Sequence, residues 1–355
     1  YDITYKLDQD GWFTVTSSIE VTNLSNDSWD NIGFYLVPNA MTEEYLPVPG
    51  EPLQLEMGDV MVNGDENEWT LEDNNFFVEL SEELQPNESA TVSISYRMDV
   101  NDGVRLSQVG NSYYLVYSYP MLGTYQDGWN IEFFNPNGES YHTSFGEFTV
   151  HYELPEEYYV VTSAVDGEAA PTTSGTVTGD NIKDFYIGFL YASDWGTDSM
   201  RSFVPQTDEE ILDKTLQYLL DAFTFLEENI GDYMSVELDM IANNGGMEYP
   251  YVIEVYDSTV PDEDLENVIA HEAGHQWFYH MIGNDPYKDP WLDEGLTEFV
   301  VSLYLYDKYN DKELATFRPK MFTAGVGRFD VDQQMDRVNL INYSVGGYGM
   351  PTFTL

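Results

Sequence analysis

Three of the chain's five histidines lie within ten residues of one another, and two of them are spaced to bind a single metal ion. His271 and His275 enclose Glu272 in the pattern His-Glu-x-x-His. On an α-helix, residues four apart share a face, so both imidazoles reach one ion while Glu272 is turned toward water bound to it. Catalytic zinc needs a third protein ligand and one open position, and Glu294, in the first turn of the next predicted helix, is the candidate. His280 is expected to be a core or surface histidine, because its spacing from His275 points it elsewhere.

The elements that must position these residues are helices. The histidine helix is predicted to open at Pro261, followed by three acids that suit the positive end of the helix dipole. Its buried stripe is predicted from an i, i+4 pattern of Leu265, Ile269, Ala273, Trp277 and Met281. The third-ligand helix is predicted to begin near Trp291. A further helix is predicted from a capping box at Thr207–Glu210 to a stop at Gly231.

The composition bounds the class of protein. The 355 residues are 42% hydrophobic and carry 13 Lys+Arg against 64 Asp+Glu, for a formal net charge of −51. A field of that sign repels nucleic acid and anionic membranes but attracts metal ions and the free amines of peptides, although much of it also serves solubility. The absence of cysteine excludes disulfides and thiolate-bound zinc. No apolar run approaches the length of a membrane-spanning helix.

Two segments together resemble one enzyme family. His271–His275, with Glu294 inside Trp291–Gly295, is similar to the zinc signature of the M1 family of aminopeptidases, in the gluzincin clan. Upstream of it, Gly245–Tyr249 resembles the family's G-x-M-E-N exopeptidase motif, with Tyr249 in place of the usual Asn. The resemblance implies one zinc ion, with cobalt or manganese also suited to the same ligands.

The resemblance also implies an α+β fold of two domains. Short apolar or alternating runs separated by turn residues predict β structure over about the first 200 residues. We therefore expect an N-terminal antiparallel β-sandwich or saddle domain over residues 1–200. A thermolysin-like zinc catalytic domain, of mixed sheet plus helices, is expected over residues 201–355.

By resemblance to the family, each residue of the two motifs has an expected role. Glu272 is the general base that takes the proton of water and later passes it to the leaving amine. Glu248 would hold the α-ammonium of the substrate, and a buried carboxylate aimed at a cation rejects acylated termini because it is then left unpaired. Gly245, Gly246 and Met247 form the same substrate-binding segment, in which the glycines allow close backbone approach.

For some roles known in the family, no motif in this sequence identifies the residue. Glu132 and Glu139 are candidates for a second amine-binding acid, and Glu298 for a residue that orients a metal ligand. The family's oxyanion-stabilising tyrosine is expected beyond Leu355, with Tyr343 and Tyr348 as weaker matches to its context. The chain is accordingly identified as a bacterial-type member that ends before the C-terminal part of the family.

The sequence therefore predicts a zinc aminopeptidase that acts on peptides with a free N-terminus. Two alternatives remain open, namely a zinc endopeptidase and a non-catalytic peptide-binding protein on the same fold. The acidic, cysteine-free composition and the start at Tyr1 lead us to expect a processed form with an extracellular or cell-envelope location, and a cytoplasmic location stays open.

Overall fold

The computed structural model describes residues 1–46, 51–103, 105–135, 139, 141–198, 200–243 and 245–315. Within these residues the chain divides into two compact units, which meet in the sequence at Ser193 and Asp194. Glu139 belongs to the second unit, although the residues around it in sequence are mostly in the first. None of the described helices is long and apolar enough to cross a membrane.

The described residues of the first unit form β-strands and one short helix. The strands are β1 (Asp2–Leu7), β2 (Trp12–Thr22), β3 (Trp29–Tyr35), β4 (Leu55–Val62), β5 (Asp65–Glu66), β6 (Trp69–Glu72), β7 (Asn75–Leu84), β8 (Ser89–Asp99), β9 (Leu106–Val109), β10 (Ser112–Leu115), β11 (Met121–Leu122), β12 (Thr124–Tyr125), β13 (Trp129–Asn130), β14 (Gly146–Thr162), β15 (Thr172–Ile182) and β16 (Ile187–Tyr191). The helix is α1 (Val37–Ala40).

The strands of the first unit form a ten-stranded, a four-stranded and a two-stranded sheet. The largest sheet has the order β5-β4-β8-β2-β1-β14-β16-β10-β9, with β15 paired to β14. The four-stranded sheet is β11-β3-β7-β6, and β12 pairs with β13. Alternation along β2 buries Phe13, Val15 and Ile19 on one face. Pairing is antiparallel as predicted, except that β1 lies parallel to β14.

The second unit packs helices against a five-stranded sheet. Its strands are β17 (Trp195–Thr197), β18 (Ser202–Pro205), β19 (Asp239–Ala242), β20 (Met247–Tyr249) and β21 (Val252–Val255), in the order β17-β18-β19-β21-β20. The central pairs are parallel and both outer pairs are antiparallel. The helices are α2 (Leu212–Asn229), α3 (Asp262–His275), α4 (Glu294–Tyr309) and α5 (Lys312–Ala315). A π-helical segment, Gln276–Met281, continues α3, and 3₁₀ segments precede α2 (Gln206–Ile211) and α4 (Pro290–Leu292). The chain thus contains a β-rich N-terminal unit and a second unit with a mixed sheet and helices. These two units confirm the predicted α+β fold class.

The buried stripe of α3 is confirmed. Leu265, Ile269, Ala273 and Trp277 lie in the core of the second unit with sheet residues, and Met281 packs against that core. This packing turns the face that carries the two zinc-ligand candidates away from the sheet core.

The capping box predicted at Thr207 is wrong. The chain there forms the 3₁₀ segment, which has no side-chain cap and contains a non-helical residue, Asp208, with φ −121°. Asp208 instead accepts a hydrogen bond from the Ser258 hydroxyl at 2.7 Å. The α-helix begins only at Leu212. A side chain that bonds to a distant residue is not available to cap the helix.

Candidate metal centre

The two helices α3 and α4 bring three metal-ligand candidates together. Nε2 of His271 and Nε2 of His275 lie 3.0 Å apart. Oε2 of Glu294 lies 3.3 Å from the first of these nitrogens and 3.8 Å from the second. Ligands at about 2.1 Å from a tetrahedral zinc ion are separated by roughly 3.4 Å, so the three donor atoms fit such an ion. At this separation the two imidazole nitrogens can share one cation or one hydrogen-bonding proton.

Glu272 lies at the same centre. Its side chain is buried, and one carboxylate oxygen is within 4.8 Å of a nitrogen from each histidine. The carboxylates of Glu272 and Glu294 are thus both close to the two imidazoles. The division in which Glu294 binds the ion and Glu272 acts on water stays a prediction.

Each histidine has a carboxylate near its Nδ1, the ring nitrogen that faces away from the other histidine. These carboxylates belong to α4 or to the residue just before it. Nδ1 of His275 lies 2.5 Å from Oδ1 of Asp293, and both groups are buried. Nδ1 of His271 lies 3.1 Å from Oε1 of Glu298, as predicted for an orienting residue, although these two atoms are poorly aligned for a hydrogen bond. The Asp293 carboxylate fixes the tautomer of His275, so that its Nε2 is left for a metal.

The electrostatics of the centre favour positive charge at the two histidines. Burial lowers the pKa of the His271 imidazole, but the Glu294 and Glu298 carboxylates outweigh burial and raise that pKa to about 9. Burial opposes the charge on His275 as well, yet the carboxylates of Glu248, Asp293 and Glu294 raise its pKa well above the ordinary value. Carboxylates in a dry site favour positive charge at the imidazoles, whether from protons or from a metal ion.

Glu248 is a buried carboxylate at the edge of this centre. It lies on β20, and its Oε1 is 4.0 Å from Nδ1 of His275. Burial is the largest cause that raises its pKa well above the ordinary value; His275 opposes the shift, and the charge of Glu139 adds to it. A carboxyl group in such surroundings gains from a cationic partner. Of the two candidates for a second acid, Glu139 thus contributes to the electrostatics of Glu248.

The two glycines before Met247 have different surroundings. A Cβ at Gly245 would lie 2.8 Å from the Asn243 side chain and 3.0 Å from Cβ of Glu254, so the protein's own packing leaves no room for a larger residue. A Cβ at Gly246 would be in ordinary contact, 3.6 Å from Oε1 of Glu272. Gly246 therefore borders the metal centre, whereas Gly245 is required by its neighbours. Met247 is buried on β20.

His280, two candidate tyrosines and Asp293 complete the comparison with the sequence predictions. His280 is fully buried with its ring centroid 4.7 Å from that of Tyr251, which confirms it as a core histidine. Tyr343 and Tyr348 lie outside the described residues. Asp293 was missed as a functional candidate, although its position immediately before Glu294 is a signal that could have found it.

Two histidines one helical turn apart, a carboxylate from the next helix and a glutamate beside them form a cluster whose donor atoms suit a metal ion. Residues 209–344 match the family model of the peptidase family M1 domain.

Two relatives are similar to part of this chain. Leukotriene A-4 hydrolase from Xenopus laevis is 27% identical over 103 residues, which cover 26% of this chain and 17% of the relative. Leucine aminopeptidase 2 from Sclerotinia sclerotiorum is 32% identical over 127 residues, covering 32% of this chain and 21% of the relative. The matched segment thus spans about a fifth of these relatives.

Solved structures share the fold over nearly the whole chain. Leukotriene A4 hydrolase from Saccharomyces cerevisiae is similar with a TM-score of 0.65 at 14% identity, over 98% of this chain and 57% of that one. The M1 zinc metallopeptidase from Deinococcus radiodurans is similar with a TM-score of 0.59 at 14% identity, over 98% and 79%. At this identity the likeness concerns the fold alone.

Proposed function

We propose that this protein is a zinc aminopeptidase, in which His271, His275 and Glu294 hold one zinc ion and Glu248 selects substrates with a free N-terminal ammonium. The observation that carries the proposal is the buried Glu248 carboxylate beside His275, at the edge of a donor set that fits zinc. A metal centre alone would support any peptidase, whereas a dry carboxylate beside it supports an exopeptidase.

The residues divide the chemistry among them. Zinc, when bound, supplies the Lewis acidity that activates water and polarises the scissile carbonyl. Glu272, buried beside the ligands, accepts a proton from the attacking water and passes it to the leaving amine. Glu248 pairs with the α-ammonium of the substrate and Glu139 adds negative potential there. An acylated terminus would leave Glu248 buried without that charge partner and is therefore rejected.

The test compares a leucyl amide reporter with its N-acetylated twin on zinc-loaded protein. Since the chain spans 57% of the yeast hydrolase, both residues 1–355 and a form extended past Leu355 should be assayed. We expect cleavage of the free-amine reporter only. Glu272→Gln should lose at least about 10²-fold in kcat while keeping its zinc, because only proton transfer is removed.

The same pair of reporters tests Glu248. Glu248→Gln should raise KM for the free-amine reporter by about 10²-fold, as expected when one partner of a buried charge pair is lost. Glu263→Gln, which removes an exposed acid from the first turn of α3, is the matched control and should leave both constants unchanged. Equal cleavage of both reporters by the unsubstituted protein would indicate an endopeptidase. Zinc binding without any cleavage by either form would indicate a peptide-binding protein.

A further inference from the structure

The side chain of Gln276 joins the metal-site helix to the hairpin that carries Glu248. Its Nε2 donates to the carbonyl of Tyr249 at 3.0 Å, and its Oε1 accepts from the backbone N–H of Tyr251 at 3.1 Å. Gln276 follows His275 directly and is fully buried. One amide therefore bonds to both sides of the hairpin tip, next in sequence to a proposed zinc ligand.

We propose that Gln276 is a positioning residue that fixes the Glu248 carboxylate relative to the metal centre and so sets the preference for a free N-terminal ammonium. The role rests on the proposed function, since it acts through Glu248. Gln276 itself touches the hairpin backbone.

The hairpin needs such support because of its place in the sheet. Strand β20 is the outermost of the described strands in its sheet and pairs there only with β21, with Glu248 opposite Ile253. A strand with one paired neighbour has its other edge free for side-chain contacts. The bond from Gln276 reaches the carbonyl of Tyr249, the residue directly after Glu248.

The tip of the hairpin is also conformationally strained. Pro250 and Tyr251 connect the two strands, and Tyr251 has φ +63°, in the left-handed region that favours glycine. An aromatic residue holds this conformation only when its surroundings determine it. The surroundings are Gln276 on the amide, the His280 ring 4.7 Å away, and the N–H of Asp239, which donates to the Tyr251 carbonyl at 2.8 Å.

Gln276 lies where the helix type changes. The α-helical hydrogen bonding of α3 ends at His275, and the π-helical segment begins at Gln276, whose own backbone stays helical with φ −61° and ψ −26°. Such segments recur at functional sites. The Tyr233 hydroxyl donates to Oε1 at 3.3 Å, so the amide has two donors on its oxygen and an acceptor on its nitrogen, which fixes its orientation.

The experiment compares Gln276→Met, which keeps the side-chain length but removes the amide, with Trp277→Phe. Trp277 is the adjacent buried residue, and its Nε1 donates to the Gly231 carbonyl at 2.9 Å, away from the hairpin. On zinc-loaded protein, Gln276→Met should raise KM for the free-amine reporter about tenfold with kcat changed less than twofold, and zinc content should stay at one ion. Backbone hydrogen exchange at Tyr251 should accelerate at least tenfold. Trp277→Phe should change neither KM nor that exchange rate.

A second variant makes a smaller change, so that the role can be tested even if Gln276→Met misfolds. Tyr233→Phe removes only the hydroxyl on Oε1 and should raise the same KM about twofold. If Gln276→Met left KM for the free-amine reporter unchanged, or left the hydrogen-exchange rate at Tyr251 unchanged, the positioning role alone would be overturned. Equal cleavage of free and acetylated reporters by the unsubstituted protein would overturn the proposed function, and the selectivity role with it.

Discussion

Asp293 holds the outer nitrogen of His275. The Nδ1–H of the imidazole donates to Oδ1 of Asp293 across 2.5 Å, and both groups are buried. Orienting partners of this kind typically contribute 10- to 100-fold to metal affinity. We predict that Asp293→Ala weakens zinc binding by about that factor, measured by competition with a chromogenic chelator.

Two further variants serve as controls for that measurement. Asp293→Asn retains an acceptor but loses the charge, so its affinity should fall between the unsubstituted protein and Asp293→Ala. Asp264→Asn removes an exposed carboxylate from the same helix as His275 and should leave affinity unchanged. A loss of affinity in Asp264→Asn equal to that in Asp293→Ala would assign the effect to net charge and contradict the orienting role.

The histidine ligands could be predicted from sequence because one rule about helix geometry places them. His271 and His275 share a face whenever their segment is helical, and the apolar stripe predicted that helix. The role of Asp293 could not be assigned in the same way. It depends on how residues 282–293 return the chain to α3, and no periodicity encodes that path. Glu298 was within reach of prediction only because it lies one turn after Glu294 on the same helix.

The sheets show the same limit. Alternation predicted β structure in the first unit, but the parallel pairing of β1 with β14 joins segments more than a hundred residues apart. Local patterns carry no information on such a partner. Gly245 illustrates a related point, because its need for a small side chain comes from Asn243 and Glu254 rather than from a turn.

Gly274 on α3 faces Thr297 on α4, across the two helices that carry the candidate metal ligands. A Cβ at this position would lie 3.0 Å from Cγ2 of Thr297, tighter than an ordinary contact. We predict that Gly274→Ala lowers the free energy of unfolding by about 1 to 3 kcal/mol through overpacking and weakens zinc binding by displacing α4. Urea unfolding of the metal-free protein and chelator competition measure the two effects.

The matched control is Gly274→Ala combined with Thr297→Ala, which removes the opposing methyl group. Stability and zinc affinity should recover in part, with a coupling of at least about 0.5 kcal/mol in the double-mutant cycle. Additive losses would show that the contact between these helices is not what limits residue size at position 274.

A polar cluster around the buried Glu266 connects α2, α3 and α4. Nζ of Lys308 donates to Oε1 of Glu266 at 2.6 Å and to Oδ2 of Asp221 at 2.7 Å, and Glu266 is only 4% exposed. Removing the cation leaves Glu266 buried without its charge partner. We predict that Lys308→Met lowers the free energy of unfolding by about 2 kcal/mol, measured by urea denaturation at pH 7.

Lys214→Met supplies the comparison for this cluster. Lys214 also joins α2 to α3, through a 2.7 Å pair with Asp262, but the side chains are 38% and 65% exposed. An exposed pair contributes less than about 1 kcal/mol. Equal losses from the two lysine variants would indicate that burial of Glu266 does not decide the effect.

Asp221 makes the stability of this cluster depend on pH. Burial tends to raise the pKa of its carboxyl, but Lys308 and Gln217 outweigh burial and leave that pKa below its ordinary value. A carboxyl with a lowered folded-state pKa contributes stability above its unfolded value of about 3.9, and that contribution disappears as the pH falls through the folded value. Asp221→Asn should therefore reduce the free energy of unfolding by about 0.5 kcal/mol at pH 7, a modest amount because the side chain is 34% exposed. The difference should persist to about pH 4 and vanish below it, in urea titrations at pH 7, 5, 4 and 3. In a Lys308→Met background the difference at pH 7 should be smaller, because only the hydrogen bond from Gln217 then remains, and a difference that grew toward low pH would contradict the assignment.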